Sequence, residues 1–228
     1  MPGRLNVLAD GLSRRHQIIG TEWSLHPSIV RQMFSIWYIP ELDLFATRHN
    51  NKLGEFVYPV PHPLAIAVDA LSIPWDGRWL YAYPPTALMQ RVLHKLAHSS
   101  QCRMLLVTPL QHYQPWLPML LRLLVDFPRE VPPMARLLRQ PKSGVFHSRP
   151  DLVRLFAWSL SSVACESDSF LKQLPTVSAR QLEHLPPASM TVSGEFMKFG
   201  VVQNRLVLSK PLSSNWRISL SSCSRPAS

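Results

Sequence analysis

The chain has 228 residues, 46% of them hydrophobic and 17% charged, which supplies a packed core and excludes a charge-driven disordered protein. Its formal net charge of +10 points to an anionic partner, most simply nucleic acid, with a general basicity that only aids solubility as the alternative. The three cysteines, Cys102, Cys165 and Cys223, form no CxxC pair, which excludes a disulfide-stapled scaffold and fits a reducing compartment, cytoplasmic or nuclear.

In chain order, residues 1–20 are short, polar and basic, without the apolar stretch that a signal peptide needs. Val30, Met33, Phe34 and Trp37 then recur at helical spacing, with Pro27 in the first turn and Pro40 as the stop. Residues 42–46 read as a short buried strand, 47–52 as a polar loop and 56–58 as a second strand. A helix is expected over 64–71, and a strand over 79–83. The stripe Leu88, Met89, Val92, Leu93, Leu96 predicts a helix, and 104–108 a strand closed by Pro109. A strongly apolar helix is expected over 116–125, with Pro118 in its first turn, and a last strand over 152–160. The apolar run at 116–125 is interrupted by Arg122 and is too short to span a bilayer, so no membrane partner is expected. Residues 162–228 are rich in Ser and Pro and are expected to be a largely disordered tail.

Strands alternating with helices predict an α/β, Rossmann-like domain with a mainly parallel sheet over 22–161. Such sheets hold ligands beyond the carboxyl ends of their strands. Three features fall there: Asp43 with its loop, the corner Tyr83-Pro84-Pro85, and Thr108-Pro109. Strand ends always meet loops, so part of this coincidence is automatic. Two prolines after Tyr83 remove two backbone donors and stiffen the chain. Other candidates carry less. His94 and His98 are four apart on a helix but lack a third ligand, so two surface histidines are the simpler reading. Trp75, Trp79, Trp116 and Trp158 read as core or near-core residues. Arg122, Arg136, Arg139, Lys142 and Arg149, with Arg129 and Arg154, outnumber nearby acids and suit either a phosphate backbone or a solvated face.

Several motifs in fixed order carry a family resemblance. NVLADGLSR (6–14) resembles the end of the RNase H domain of retroelement reverse transcriptases, N-x-x-A-D-x-L-S-R. EWSLHP (22–27), LDLFATRHNNKL (42–53), AVDALSIPW (67–75), YAYPP (81–85) and LLVTP followed by WLPML (105–120) come after it. Together, over about 5–160, they resemble the region after RNase H in DIRS-type, tyrosine-recombinase retrotransposon polyproteins, which is similar to phage-type DNA N6-adenine methyltransferases. Residues 196–214 faintly resemble the start of the recombinase that follows.

The resemblance implies a remnant of RNase H over 1–20, a methyltransferase-like domain over 22–161 and a degenerate recombinase start within 162–228. It makes Asp10 the last metal-binding aspartate of RNase H. Two-metal hydrolysis needs several converging carboxylates, so RNase H activity is not expected from this chain. It implies S-adenosylmethionine as cofactor, held near Asp43 and Ala46 with Trp23 and Pro27 beside it. Tyr83, Pro84 and Pro85 then correspond to the D/N-P-P-Y/F motif that grips and stacks a flipped adenine. The implied partners are DNA or an RNA–DNA hybrid and the remainder of the retroelement polyprotein.

Two positions depart from that motif. Tyr83 replaces the compact acid or amide with a longer phenol, and Thr86 replaces the stacking aromatic. A base stack is worth about 1–3 kcal/mol, which Thr does not supply. The glycine-rich loop of many methyltransferases is absent as well; Thr47-Arg48-His49-Asn50 stands there. The expectation is a nucleic-acid-associated, methyltransferase-like domain with impaired catalysis. An active S-adenosylmethionine-dependent adenine methyltransferase and a plain nucleic-acid-binding module are the alternatives.

Overall fold

The computed structural model describes residues 23–109, 114–150, 153–176 and 197–212. The fold is a mixed α/β sheet of eight strands with helices packed against it. In chain order the elements are β1 (Ser24–Leu25), α1 (Pro27–Ile36), β2 (Leu42–Asp43), β3 (Glu55–Phe56), β4 (Trp79–Ala82), α2 (Met89–His98), β5 (Arg103–Pro109) and α3 (Leu117–Arg122). They continue with β6 (Arg129–Glu130), β7 (Leu138–Arg139), β8 (Leu155–Ser161), α4 (Ala164–Gln173), β9 (Met197–Val202) and β10 (Arg205–Pro211). The main sheet runs β3-β2-β4-β5-β8-β6-β10-β9, while β1 and β7 form a separate antiparallel pair.

β3, β2, β4 and β5 are mutually parallel. β8 pairs antiparallel with both β5 and β6, so β6 again points the same way as β5, and β10 follows it. Only β8 and β9 oppose the common direction. The sheet is therefore mainly parallel, as the alternation predicts.

Each face buries its own core. Leu42, Leu80, Ala82, Met104 and Leu106 pack against Val92, Leu93 and Leu96 of α2, and against Trp75 and Leu120. Tyr81, Leu105, Val107 and Ala157 face the other way, against Ile29, Val30 and Met33 of α1. This alternation along β4 and β5 is the period of two that a strand imposes. It explains why these strands read as continuous apolar runs: both faces are covered. The Trp75 indole is fully buried and donates to the Ala70 carbonyl at 2.9 Å, with the Lys95 ammonium 5.2 Å from its ring. Trp116 and Trp158 are also buried, but Trp79 is 38% exposed, against Tyr38 and Arg103.

Four expectations are corrected. No helix forms over 64–71: Leu64 and Ile66 are exposed, and the Ile66 N–H donates to the Phe56 carbonyl at the sheet edge. Ala67 bridges Val57 and its carbonyl accepts from the Tyr58 N–H, so the backbone here is committed to the sheet edge and not to helical bonds. The helix expected over 116–125 stops at Arg122, because Leu124 bridges Leu160 and the Val125 N–H donates to the Ser159 carbonyl. The strand at Leu155–Ser161 is not the last one. After it, α4 buries Phe170 and Leu171 in the core, and β10 pairs with β6. The described parts of 162–228 thus continue the same sheet past a boundary at 161, and part of 196–214 is the β9–β10 hairpin. Gln203 and Asn204, both at positive φ (49° and 60°), form its two-residue turn. That conformation matches the strand twist of a tight hairpin.

Replacing Trp75 by Phe removes the indole donor and leaves a gap. Urea unfolding of the variant should show a loss of about 1–3 kcal/mol with an unchanged m-value.

Candidate functional site at the carboxyl edge

Strand order singles out one crevice. β2 lies between β3 and β4, so the chain leaves β2 towards one side and later returns on the other. The carboxyl ends of β2 and β4 therefore flank the point where strand order reverses, the place where open α/β sheets hold ligands. Beyond β2 come Phe45 and Ala46; beyond β4 come Tyr83, Pro84 and Pro85. Pro84 is buried, Pro85 is exposed, and Tyr83 is half-buried against the α1-side core. The Pro85 carbonyl accepts from the Leu88 N–H at 2.9 Å, which starts a 3-10 turn at Thr86 that runs into α2. Burial pushes the Tyr83 phenol up to about 12, so it stays neutral at physiological pH.

Asp43 faces the α1 side and is buried. Its Oδ2 accepts from the Lys52 backbone N–H at 2.9 Å. Burial pushes the carboxyl up to about 7, opposed by the Lys52 N–H, the Lys52 charge and the Phe45 N–H. Burial lowers the Lys52 ammonium, and the Asp43 charge opposes it. The Lys52 Nζ donates to Ser24 Oγ at 2.7 Å and to the Leu25 carbonyl at 2.8 Å. Asp43 and Lys52 thereby tie the loop after β2 to β1. Tyr81, which faces the same core, has a buried hydroxyl with no hydrogen-bond partner among the described residues.

The residues expected beside S-adenosylmethionine are engaged within the fold. The Ala46 N–H donates to the Val57 carbonyl at 3.3 Å, and Ala46 is buried. The Thr47 N–H donates to Asn50 Oδ1 at 2.5 Å, and the Asn50 and Asn51 N–H groups donate to the Thr47 carbonyl. Trp23 packs edge-on against His147 at 4.9 Å, and Pro27 occupies the exposed first turn of α1, whose cap is His26. The residues present thus do not fit the cofactor, since no glycine loop opens here and the Asp43 carboxyl is filled from within.

A second set of residues comes to the same edge. β6 points with β5 and β8 runs back, so the described residues between them, 131–150 and 153–154, emerge at the carboxyl edge. Within it, β7 pairs with β1, and the chain turns back on itself: Gln140 N–H donates to the Val145 carbonyl, His147 N–H donates to the Leu138 carbonyl, and Arg139 lies opposite Phe146. The result is a β-hairpin over 138–147 seated on Trp23, Ser24 and Leu25. Gly144 closes its turn at φ 72°, and a Cβ there would meet the Arg139 guanidinium at 3.2 Å.

This hairpin and its flanks hold four of the five basic candidates. Arg136, Arg139, Lys142 and Arg149 are all exposed. Arg122 is set apart: it ends α3, beside Leu123, whose carbonyl accepts from Ser161 at the opposite edge. Arg154 pairs with Glu130 at 2.7 Å and Arg129 approaches Asp126 at 3.6 Å. Acids gather at the opposite, amino edge: Glu41 before β2, Asp76 before β4, Asp126 before β6, and Glu166 on Arg103 at 2.5 Å. His94 and His98 stack at 5.8 Å on the exposed face of α2, and the described residues hold no group of three metal-ligand side chains. Asp10 lies outside the described residues.

Sequence reasoning missed Lys52, Phe146 and the hairpin. The available signal was Pro-Lys-Ser-Gly at 141–144 between Leu-Leu-Arg and Val-Phe-His, a turn flanked by apolar residues. No family model matches this chain, and no curated protein matches it.

Asp43 binds its proton more tightly folded than unfolded. Its contribution to stability should therefore fall as pH rises from 3.8 to about 7 and stay level above that. Asp43→Asn keeps an acceptor for the Lys52 N–H. Urea titrations at a series of pH values should show that variant gaining on the parent protein across this window.

Proposed function

We propose that this chain is a nucleic-acid-associated domain on a methyltransferase-like frame, of the kind found in DIRS-type retroelement polyproteins, and that it does not transfer methyl groups. The observation that carries the reading is the juxtaposition at one edge. The Tyr83-Pro84-Pro85 corner lies at the reversal of strand order, and the exposed Arg136, Arg139 and Lys142 come to the same edge.

Phosphates are met by cations presented together on one side, and acids on that side would oppose them. Here Asp43 is buried and Glu130 is paired with Arg154, while Glu41, Asp76, Asp126 and Glu166 lie at the far edge. The loss of methyl transfer is supported by the chemistry of the corner. Tyr83 is half-buried against apolar side chains, and Thr86 opens a helical turn where an aromatic would stack. The loop after β2 spends its backbone donors on itself.

Fluorescence anisotropy with labelled DNA should give an affinity that falls steeply with salt. Each of Arg136→Ala, Arg139→Ala and Lys142→Ala should reduce the slope of log K against log salt by about 0.9, while Arg122→Ala leaves it unchanged. Salt-independent binding, or none by the folded protein, would sink the reading. Calorimetric titration with millimolar S-adenosylmethionine should release no binding heat. Saturable heat would instead support the alternative, an S-adenosylmethionine-dependent adenine N6-methyltransferase.

A further inference from the structure

The hairpin over 138–147 carries more than charge. Arg139 and Phe146 are opposite each other across its two strands, so their side chains share one face. Ser24 lies opposite Arg139 on the neighbouring strand β1, and extends the same face. Phe146 is 38% exposed and Val145 56% exposed, at the end of the molecule where the basic residues gather. The Arg136 guanidinium carbon lies 5.3 Å from the Phe146 ring centroid. The inward partners, Leu137 and Leu138, are buried with Leu25 and Leu212 in the α1-side core, which fixes the hairpin on the sheet.

Phe146 keeps more than a third of its surface in solvent, with the Arg136 guanidinium over its ring. Here it is flanked by Arg136, Arg139 and Lys142, none of which pairs with an acid among the described residues. Several cations beside an aromatic platform are what an unpaired strand requires. Its bases offer π faces that a duplex hides inside the stack, and its backbone follows the charges. A duplex would use the charges and leave the ring idle.

We infer that the outer face of this hairpin binds single-stranded nucleic acid, with Phe146 as the base-stacking platform and Arg136, Arg139 and Lys142 on the phosphates. This deepens the proposed nucleic-acid association and rests on it. It assigns no role to the Tyr83-Pro84-Pro85 corner.

The test is anisotropy on the full chain with labelled oligonucleotides of one mixed sequence, presented as single-stranded DNA, single-stranded RNA and duplex DNA. The single strands should bind more tightly than the duplex; the two single-stranded arms identify which sugar is preferred. Phe146→Ala and Phe146→Leu should weaken single-strand binding by roughly 5- to 150-fold, with the salt slope and duplex affinity unchanged. Phe146→Trp should retain single-strand binding, which separates stacking from a simple loss of folding. Equal binding by the parent and Phe146→Leu proteins, or a preference for the duplex, overturns the stacking platform and leaves the proposed association standing. Absence of binding to all three by the folded chain overturns both.

Discussion

The antiparallel ladder between β5 and β8 fixes where the loops of this molecule emerge. It joins Arg103 to Ser161 at one end and Pro109 to Leu155 at the other, seven residues on each strand. Both strands are buried along nearly their whole length, so a shift by one residue would turn core side chains out of their clusters. Because β8 runs against its neighbours, the stretch leading into it must lie beyond the carboxyl ends of the parallel strands. Reversal of that single strand would carry the basic hairpin to the opposite edge, among Glu41, Asp76 and Asp126.

Two separate devices converge on that edge. One is topological: the reversal of strand order between β2 and β4, with a stiff proline corner on one side. The other is electrostatic and is tied to the first through buried side chains. Asp43 holds the Lys52 backbone, Lys52 holds Ser24 and Leu25, and those residues pair with Arg139 and Leu138. A short relay of hydrogen bonds thus links the end of β2 to the base of the hairpin. Breaking it by removing Lys52 would leave a buried carboxyl without its amine neighbour and would free the hairpin's supporting strand together.

Much of the frame was legible in the residues. The stripes of α1 and α2 and the buried strands 79–83 and 104–108 follow from periodicity and proline placement, because both packing partners are close to ideal elements. The exceptions are physical. Residues 64–71 are apolar but are held along the sheet edge, where Ala67 bridges Val57, and 123–125 belong to a helix by composition but are taken by the edge of β8. The strands β9 and β10 sit in a Ser- and Pro-rich stretch whose pattern is weak; they pair with each other as a hairpin, and β10 joins the sheet through β6. At the site, the position of Tyr83 followed from the alternation of elements. The commitment of Asp43 to the Lys52 backbone did not, since a carboxylate before a polar loop looks the same whether it meets a ligand or its own chain. Nor did the separation of Arg122 from Arg136 and Arg139, which depends on the direction in which α3 returns.

The path of the chain at the edges has a consequence for assembly. It comes into the described fold at Trp23, packed on the hairpin residue His147, and it leaves β10 at Leu212, which is buried with Leu25 and Leu138. Both points of attachment lie on one side of the sheet. The chain therefore enters and leaves the described fold on the side of the sheet that carries the basic hairpin. On the proposed association, a nucleic acid bound at the hairpin would meet any part joined at those two points at an effective concentration set by the connecting segment, about millimolar for a short flexible one.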